Sequence, residues 1–121
     1  MKFLCLVYFE ASAFDALTKE EHDALTRASL QYDKDLQKSG HLIAAEALQS
    51  PAAAVTVRVR NGKQSATDGP FAETTEQLAG FILIEAKDHA EAIQVGSKIP
   101  LAKIGSIEVR PIYNIPQPSD L

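Results

Sequence analysis

The first strongly patterned stretch, Lys2 to Phe9 (KFLCLVYF), is apolar at both alternating positions, with Phe3, Cys5, Val7 and Phe9 in one set and Leu4, Leu6 and Tyr8 in the other. Period-two segments with two apolar sides predict a strand covered on both faces. Gly80 to Ala86 (GFILIEA) repeats the pattern, Phe81 and Leu83 opposing Ile82 and Ile84. Between them the period changes to that of a helix. Thr18-Lys19-Glu20-Glu21 is a capping box, and Leu25, Ala28, Tyr32 and Leu36 follow at helical spacing up to Gly40, which suits a left-handed stop. The segment His41 to Leu48 sits between that stop and Pro51 and reads as a strand.

Val55, Val57 and Val59 alternate with Thr56, Arg58 and Arg60, and Asn61-Gly62 supplies the two residues of a tight hairpin turn. Lys63 to Thr67 is the polar return strand, and Asp68-Gly69-Pro70-Phe71 is a further turn. Asp88 caps a second helix whose buried positions are Ala92, Val95, Gly96 and Ile99, closed by Pro100. Ser106 to Tyr113 makes a last strand, and the polar stretch Pro116 to Leu121 an extended arm. Setting aside the 54–67 hairpin leaves βαββαβ. The expected fold class is therefore α+β: a ferredoxin-like antiparallel sheet with an inserted β-hairpin and two helices on one face. Residues 1–113 form the domain and 114–121 a C-terminal tail.

Two helices cover one face of such a sheet, yet the first and fifth strands are apolar on both. Half a dozen large side chains, each worth about 1.5–3 kcal/mol when buried, would make an exposed patch above the ~400 Å² that monomers tolerate. The expected remedy is a homodimer, two sheets packed face to face as a dimeric α+β barrel with a pocket between them. The alternative is that the hairpin and tail fold back over that face.

The 121 residues carry 12 Lys and Arg against 16 Asp and Glu, a net charge of −4, so the basic footprint of a nucleic-acid binder is missing. No apolar run is long enough for a membrane span, and the lone Cys5 fits a reducing, cytoplasmic setting. His22, His41 and His89 lie too far apart for metal-ligand spacing, and no phosphate-binding or nucleophile-elbow motif occurs, so neither metal nor cofactor is expected.

Candidate chemistry rests on carboxylates. Glu46 is a lone acid in an apolar run, and Arg110, in a strand led by Ile107 and Val109, is its natural counter-ion. The pair is expected to face the cavity, binding a small polar ligand or simply forming a structural ion pair. Asp68, Glu73 and Glu76 cluster around the rigid Gly69-Pro70 turn, where burial would suit Asp68 or either glutamate to acid–base work. In the plainer alternative Asp68 caps the turn and both glutamates are solvated. Glu46 and Asp68 are the catalytic candidates; Arg110, Glu73 and Glu76 are the ligand-binding ones.

The segments MKFLCLVYFE, SGHLIAAEALQSP, TVRVRNGK, TDGPFAETTEQLAGF and GSIEVRPI resemble the YCII-related (DGPF-domain) family over about residues 1–113, most specifically at Asp68-Gly69-Pro70-Phe71-Ala72-Glu73-Thr74. The resemblance implies a dimeric ferredoxin-like α+β barrel. It also implies mostly uncharacterised relatives, some encoded beside or fused to extracytoplasmic-function sigma factors. A few members act in the breakdown of ring-chlorinated aromatics, with a His/Asp pair proposed as their site. Here Ser29 stands at the position of that histidine and Ile99 at that of the aspartate, while Thr75 replaces a usual Lys. His22 lies two turns from Ser29. Two functions follow as expectations: cofactor-free acid–base chemistry of an isomerase or lyase type on a small polar or aromatic molecule, or a non-enzymatic sensing or interaction module linked to sigma-factor-dependent transcription.

Overall fold

In a computed structural model describing residues 1–121, the chain runs β1 (Lys2–Phe9), α1 (Ala11–Asp15), α2 (Lys19–Ser39), β2 (Leu42–Ala47), β3 (Val55–Arg60), β4 (Lys63–Asp68), β5 (Gln77–Glu85), α3 (His89–Ser97) and β6 (Gly105–Pro111), with short 3-10 turns at Pro51–Ala53, Pro100–Lys103 and Pro118–Asp120. Four strands form an antiparallel sheet in the order β2-β5-β1-β6, and β3 and β4 pair separately. This is the ferredoxin-like α+β arrangement with the hairpin set apart from the main sheet.

Register sorts the side chains, because residues opposite one another share a face. Cys5 lies opposite Ile82 and Val109, whereas Leu6 lies opposite Phe81 and Glu108. The first set points towards the helices. There Phe3, Cys5, Val7, Ile82 and Ile84 are buried together with Leu36 of α2 and Ala92, Val95 and Ile99 in and just beyond α3. On the other face Leu4, Leu6, Tyr8, Phe81 and Leu83 are only half-buried, and no helix covers them. The double apolarity of β1 and β5 is thus resolved within one chain on one side only.

Local signals operate as their chemistry requires. Thr18 Oγ1 accepts from the Glu21 amide at 3.1 Å while the Thr18 amide donates to Glu21 Oε1 at 2.9 Å, and Gly40 ends the helix at φ 82°. Asp88 accepts from the Glu91 amide at 2.9 Å to start α3. The hairpin turn places Asn61 and Gly62 at φ 53° and 73°, as two left-handed residues between twisted strands must be. Tyr32 crosses from α2 to α3 and donates to the Val95 carbonyl at 2.6 Å.

Four details differ from expectation. Residues Ala11–Asp15 form a short helix, seeded by Glu10 accepting from the Ala13 and Phe14 amides. Strand β5 begins at Gln77, three residues before the apolar run, because a bulge near Val7 and Tyr8 keeps Gln77 and Leu78 paired with β1. In the α2 stripe Ala28 is exposed and Ser29 is half-buried in its place. The tail closes on a 3-10 turn at Pro118–Asp120 rather than staying extended throughout.

Candidate functional site

Between the middle of α2, from Leu25 to Asp33, and the sheet the packing opens into a cleft of about 750 Å³. Its floor is Val7, Ala45, Gly80 and Ile82, its roof Leu25, Ser29 and Asp33, and Phe14 and Leu101 stand at its ends. The space follows from small residues where large ones would fill it. Gly80 is obligatory, since a Cβ there would sit 2.7 Å from the Glu46 carbonyl oxygen.

Two acidic residues, Asp15 and Asp33, line the cleft and Glu46 borders it from edge strand β2, with no lysine, arginine or histidine among the lining residues. Burial pushes the Asp33 carboxyl above its ordinary value, because an apolar wall solvates the anion poorly. At the open end Phe14 stacks on Phe9 with ring centroids 5.0 Å apart, and the His22 ring meets Phe14 edge-on at 4.2 Å. Acidic side chains without a lining cation make the potential in this cleft negative.

The expected site residues are not gathered here. Glu46, exposed, reaches the rim, but it stands on the face of the sheet away from the helices, opposite Phe81. Arg110 shares that face but lies on β6, at the other edge of the sheet. With two strands between them and about 4.8 Å per strand spacing, the expected Glu46–Arg110 pair does not form. Arg110 is held instead by Glu108, its Nε donating to Oε2 at 3.0 Å, which raises the guanidinium pKa further. Asp68 ends β4, exposed, and Glu73 is exposed in the following loop. Glu76 accepts from Ser106 Oγ at 2.7 Å, a tie from the start of β5 across to β6. None of Asp68, Glu73, Glu76 and Arg110 lines the cleft.

Asp33 was available in the sequence as an acid one turn beyond Ser29 on the same helix face. Its signal is hidden because it lies within an acidic window that reads as a solvated surface. A second arrangement also escapes sequence reading. His41 Nδ1 lies 2.6 Å from Ser39 Oγ, and His41 Nε2 lies 3.0 Å from Glu91 Oε1, which joins the end of α2 to the start of α3.

Fold and cleft together describe a small α+β protein whose helix side holds a cleft of apolar walls with acidic residues in its lining. The chain belongs to the YCII-related domain family, whose sequence model matches residues 1–116. It is also 35% identical over 114 residues, 93% of this chain and 92% of the other, to an uncharacterized protein of Rhizobium meliloti (strain 1021). Ser29 and Ile99 both line the cleft.

Proposed function

We propose that the protein is a homodimer that binds a small, largely apolar or aromatic molecule, neutral or cationic, in the cleft under α2, with Asp33 as its working carboxyl. The observation that carries this reading is a cleft combining apolar walls, the lining acids Asp15 and Asp33, and no lining cation. With hydroxyl and aliphatic groups at Ser29 and Ile99, chemistry through a His/Asp pair is replaced by chemistry through Asp33. A carboxyl held partly out of water exchanges protons nearer neutrality, the property that cofactor-free isomerisation or elimination needs.

The test is a panel of aromatic molecules of one skeleton, bearing an amine, a hydroxyl or a carboxylate, followed by calorimetry on the protein and on Asp33→Asn. The amine and hydroxyl members should bind and the carboxylate should not. Loss of the carboxyl should weaken amine binding by about ten- to a hundredfold, the worth of a charge-assisted hydrogen bond. Equal binding of the carboxylate, or affinity unchanged in Asp33→Asn, overturns the assignment. A second reading, a non-enzymatic sensing or interaction module tied to sigma-factor-dependent transcription, draws support from the apolar side chains exposed on the β3–β4 hairpin. Ligand binding without turnover of any bound member of the panel would favour it.

A further inference from the structure

The β3–β4 hairpin is a regular six-residue ladder in register from Val55 opposite Asp68 to Arg60 opposite Lys63. Its two faces differ. One carries Val55, Val57, Val59 and Ala66 with Gln64 and Asp68, and the other Thr56, Arg58, Arg60, Lys63, Ser65 and Thr67. The three valines are 56%, 60% and 59% exposed, so nothing in the same chain covers the apolar row. A hairpin alone is marginal in water, and a bare valine row on a two-stranded ribbon invites uncontrolled pairing. Only its root is tied down, by Gly69 donating to the Ala54 carbonyl at 2.7 Å and Thr56 Oγ1 donating to the Gly69 carbonyl at 2.8 Å.

We infer that this hairpin is an arm covered by a second copy of the chain, its valine face seated on the partner's apolar C-terminal segment. Two observations point to that occupant. The arm holds three cations and one acid in a chain of net charge −4, so the rest of the molecule is its electrostatic complement. The chain also exposes a matching apolar strip of its own, Ile112, Tyr113 and Ile115, the last two 77% and 75% exposed. The arm follows edge strand β2 and the strip follows the opposite edge strand β6. Because β6 runs opposite to β2, the arm leaves the sheet at the Phe9 end of β1 and the strip at the Lys2 end, on diagonally opposite corners. A twofold axis between the open faces of two sheets, perpendicular to that diagonal, sets the arm corner of one copy beside the strip corner of the other, and does so twice. The inference rests on the homodimer proposed above and adds to it the exchange of arms.

The chain contains no tryptophan, so Val59→Trp places one reporter on the arm. Its emission should be blue-shifted at concentrations where sedimentation shows dimer and should move to the water-exposed position on dilution. Val57→Lys combined with Val59→Lys should raise the dimer dissociation constant by at least about tenfold, as should Tyr113→Ser with Ile115→Ser, since each pair removes about one to two buried aliphatic groups' worth of association energy. A dimer whose tryptophan emission stays water-like, or whose affinity ignores both double variants, overturns the arm while leaving the dimer standing. A blue-shifted emission that does not change on dilution to monomer shows the arm folded on its own chain and overturns it too. A protein that is monomeric at high concentration removes both readings.

Discussion

Asp33 is costly to the fold at neutral pH. Its raised pKa means that the folded chain holds that proton more tightly than the unfolded one. The stability it contributes is whole below the ordinary carboxyl value and falls as pH rises through the folded value. Asp33→Asn should therefore raise the melting temperature at pH 7 while weakening ligand binding, the opposite signs that separate a working residue from a structural one. Cys5 and Tyr32 titrate in the alkaline range by the same logic. Burial pushes the Cys5 thiol from 9.0 to about 11, and burial with the neighbouring Cys5 charge pushes the Tyr32 phenol from 10.0 to about 12. Both hold stability that is complete below the ordinary thiol value and lost as pH climbs through the raised ones. Urea melts at about pH 8 and about pH 10.5, below and above the ordinary values of both groups, should show the decline, and Cys5→Ala should lessen it. In native protein at neutral pH the thiol should be inert to thiol reagents and become reactive only on unfolding. At this scale the sequence is partly legible. A lone acid in an apolar run does mark an unusual position, but Glu46 and Arg110 alternate onto the sheet face away from the helices, and only strand order reveals that they occupy opposite edges. Asp33 escapes such a reading because helical spacing alone does not say where a helix stands off its sheet.

Elements here are set by caps and close approaches as much as by apolar runs. The Thr18 box fixes the start of α2, the helix that roofs the cleft. Thr18→Ala should cost about 1 kcal/mol, seen as a lower urea midpoint with unchanged slope. Gly105 is a stricter constraint, for a Cβ there would lie 1.9 Å from the Tyr8 carbonyl oxygen. Since backbone cannot give way as a side-chain tip does, Gly105→Ala should pry β6 from β1 and destabilise far more than Thr18→Ala. Equal stability of Gly105→Ala and the parent protein in denaturant melts would contradict the β1–β6 register. Six strands and the two longer helices are legible because period and caps agree in each. The short α1 is not, since five residues without a side-chain cap depend on Phe14 finding Phe9 and His22, contacts that exist only once β1 and α2 are in place.

At the scale of the whole molecule, the proposed dimer follows from an imbalance between what the helices cover and what the strands present. One face of the sheet holds fully buried Phe3, Cys5 and Ile84; the other leaves Leu4, Leu6, Tyr8, Phe81 and Leu83 half-open, flanked by Glu46 on β2 and by Glu108 with Arg110 on β6. An apolar centre with a charged rim is the anatomy of an interface between copies. Burying a leucine at its middle is worth about 1.5–3 kcal/mol, and a twofold buries each such residue twice. Leu6→Asn should accordingly weaken association by at least about a hundredfold in sedimentation equilibrium. It should leave monomer stability nearly unchanged, because Leu6 points away from the helix-side core. The cleft under α2 lies on the other side of the sheet, so the same variant, as a monomer, should retain ligand affinity. Loss of binding together with loss of the dimer would instead mean that the partner completes the cleft, and the proposed site would then have to be redrawn to include residues of both copies.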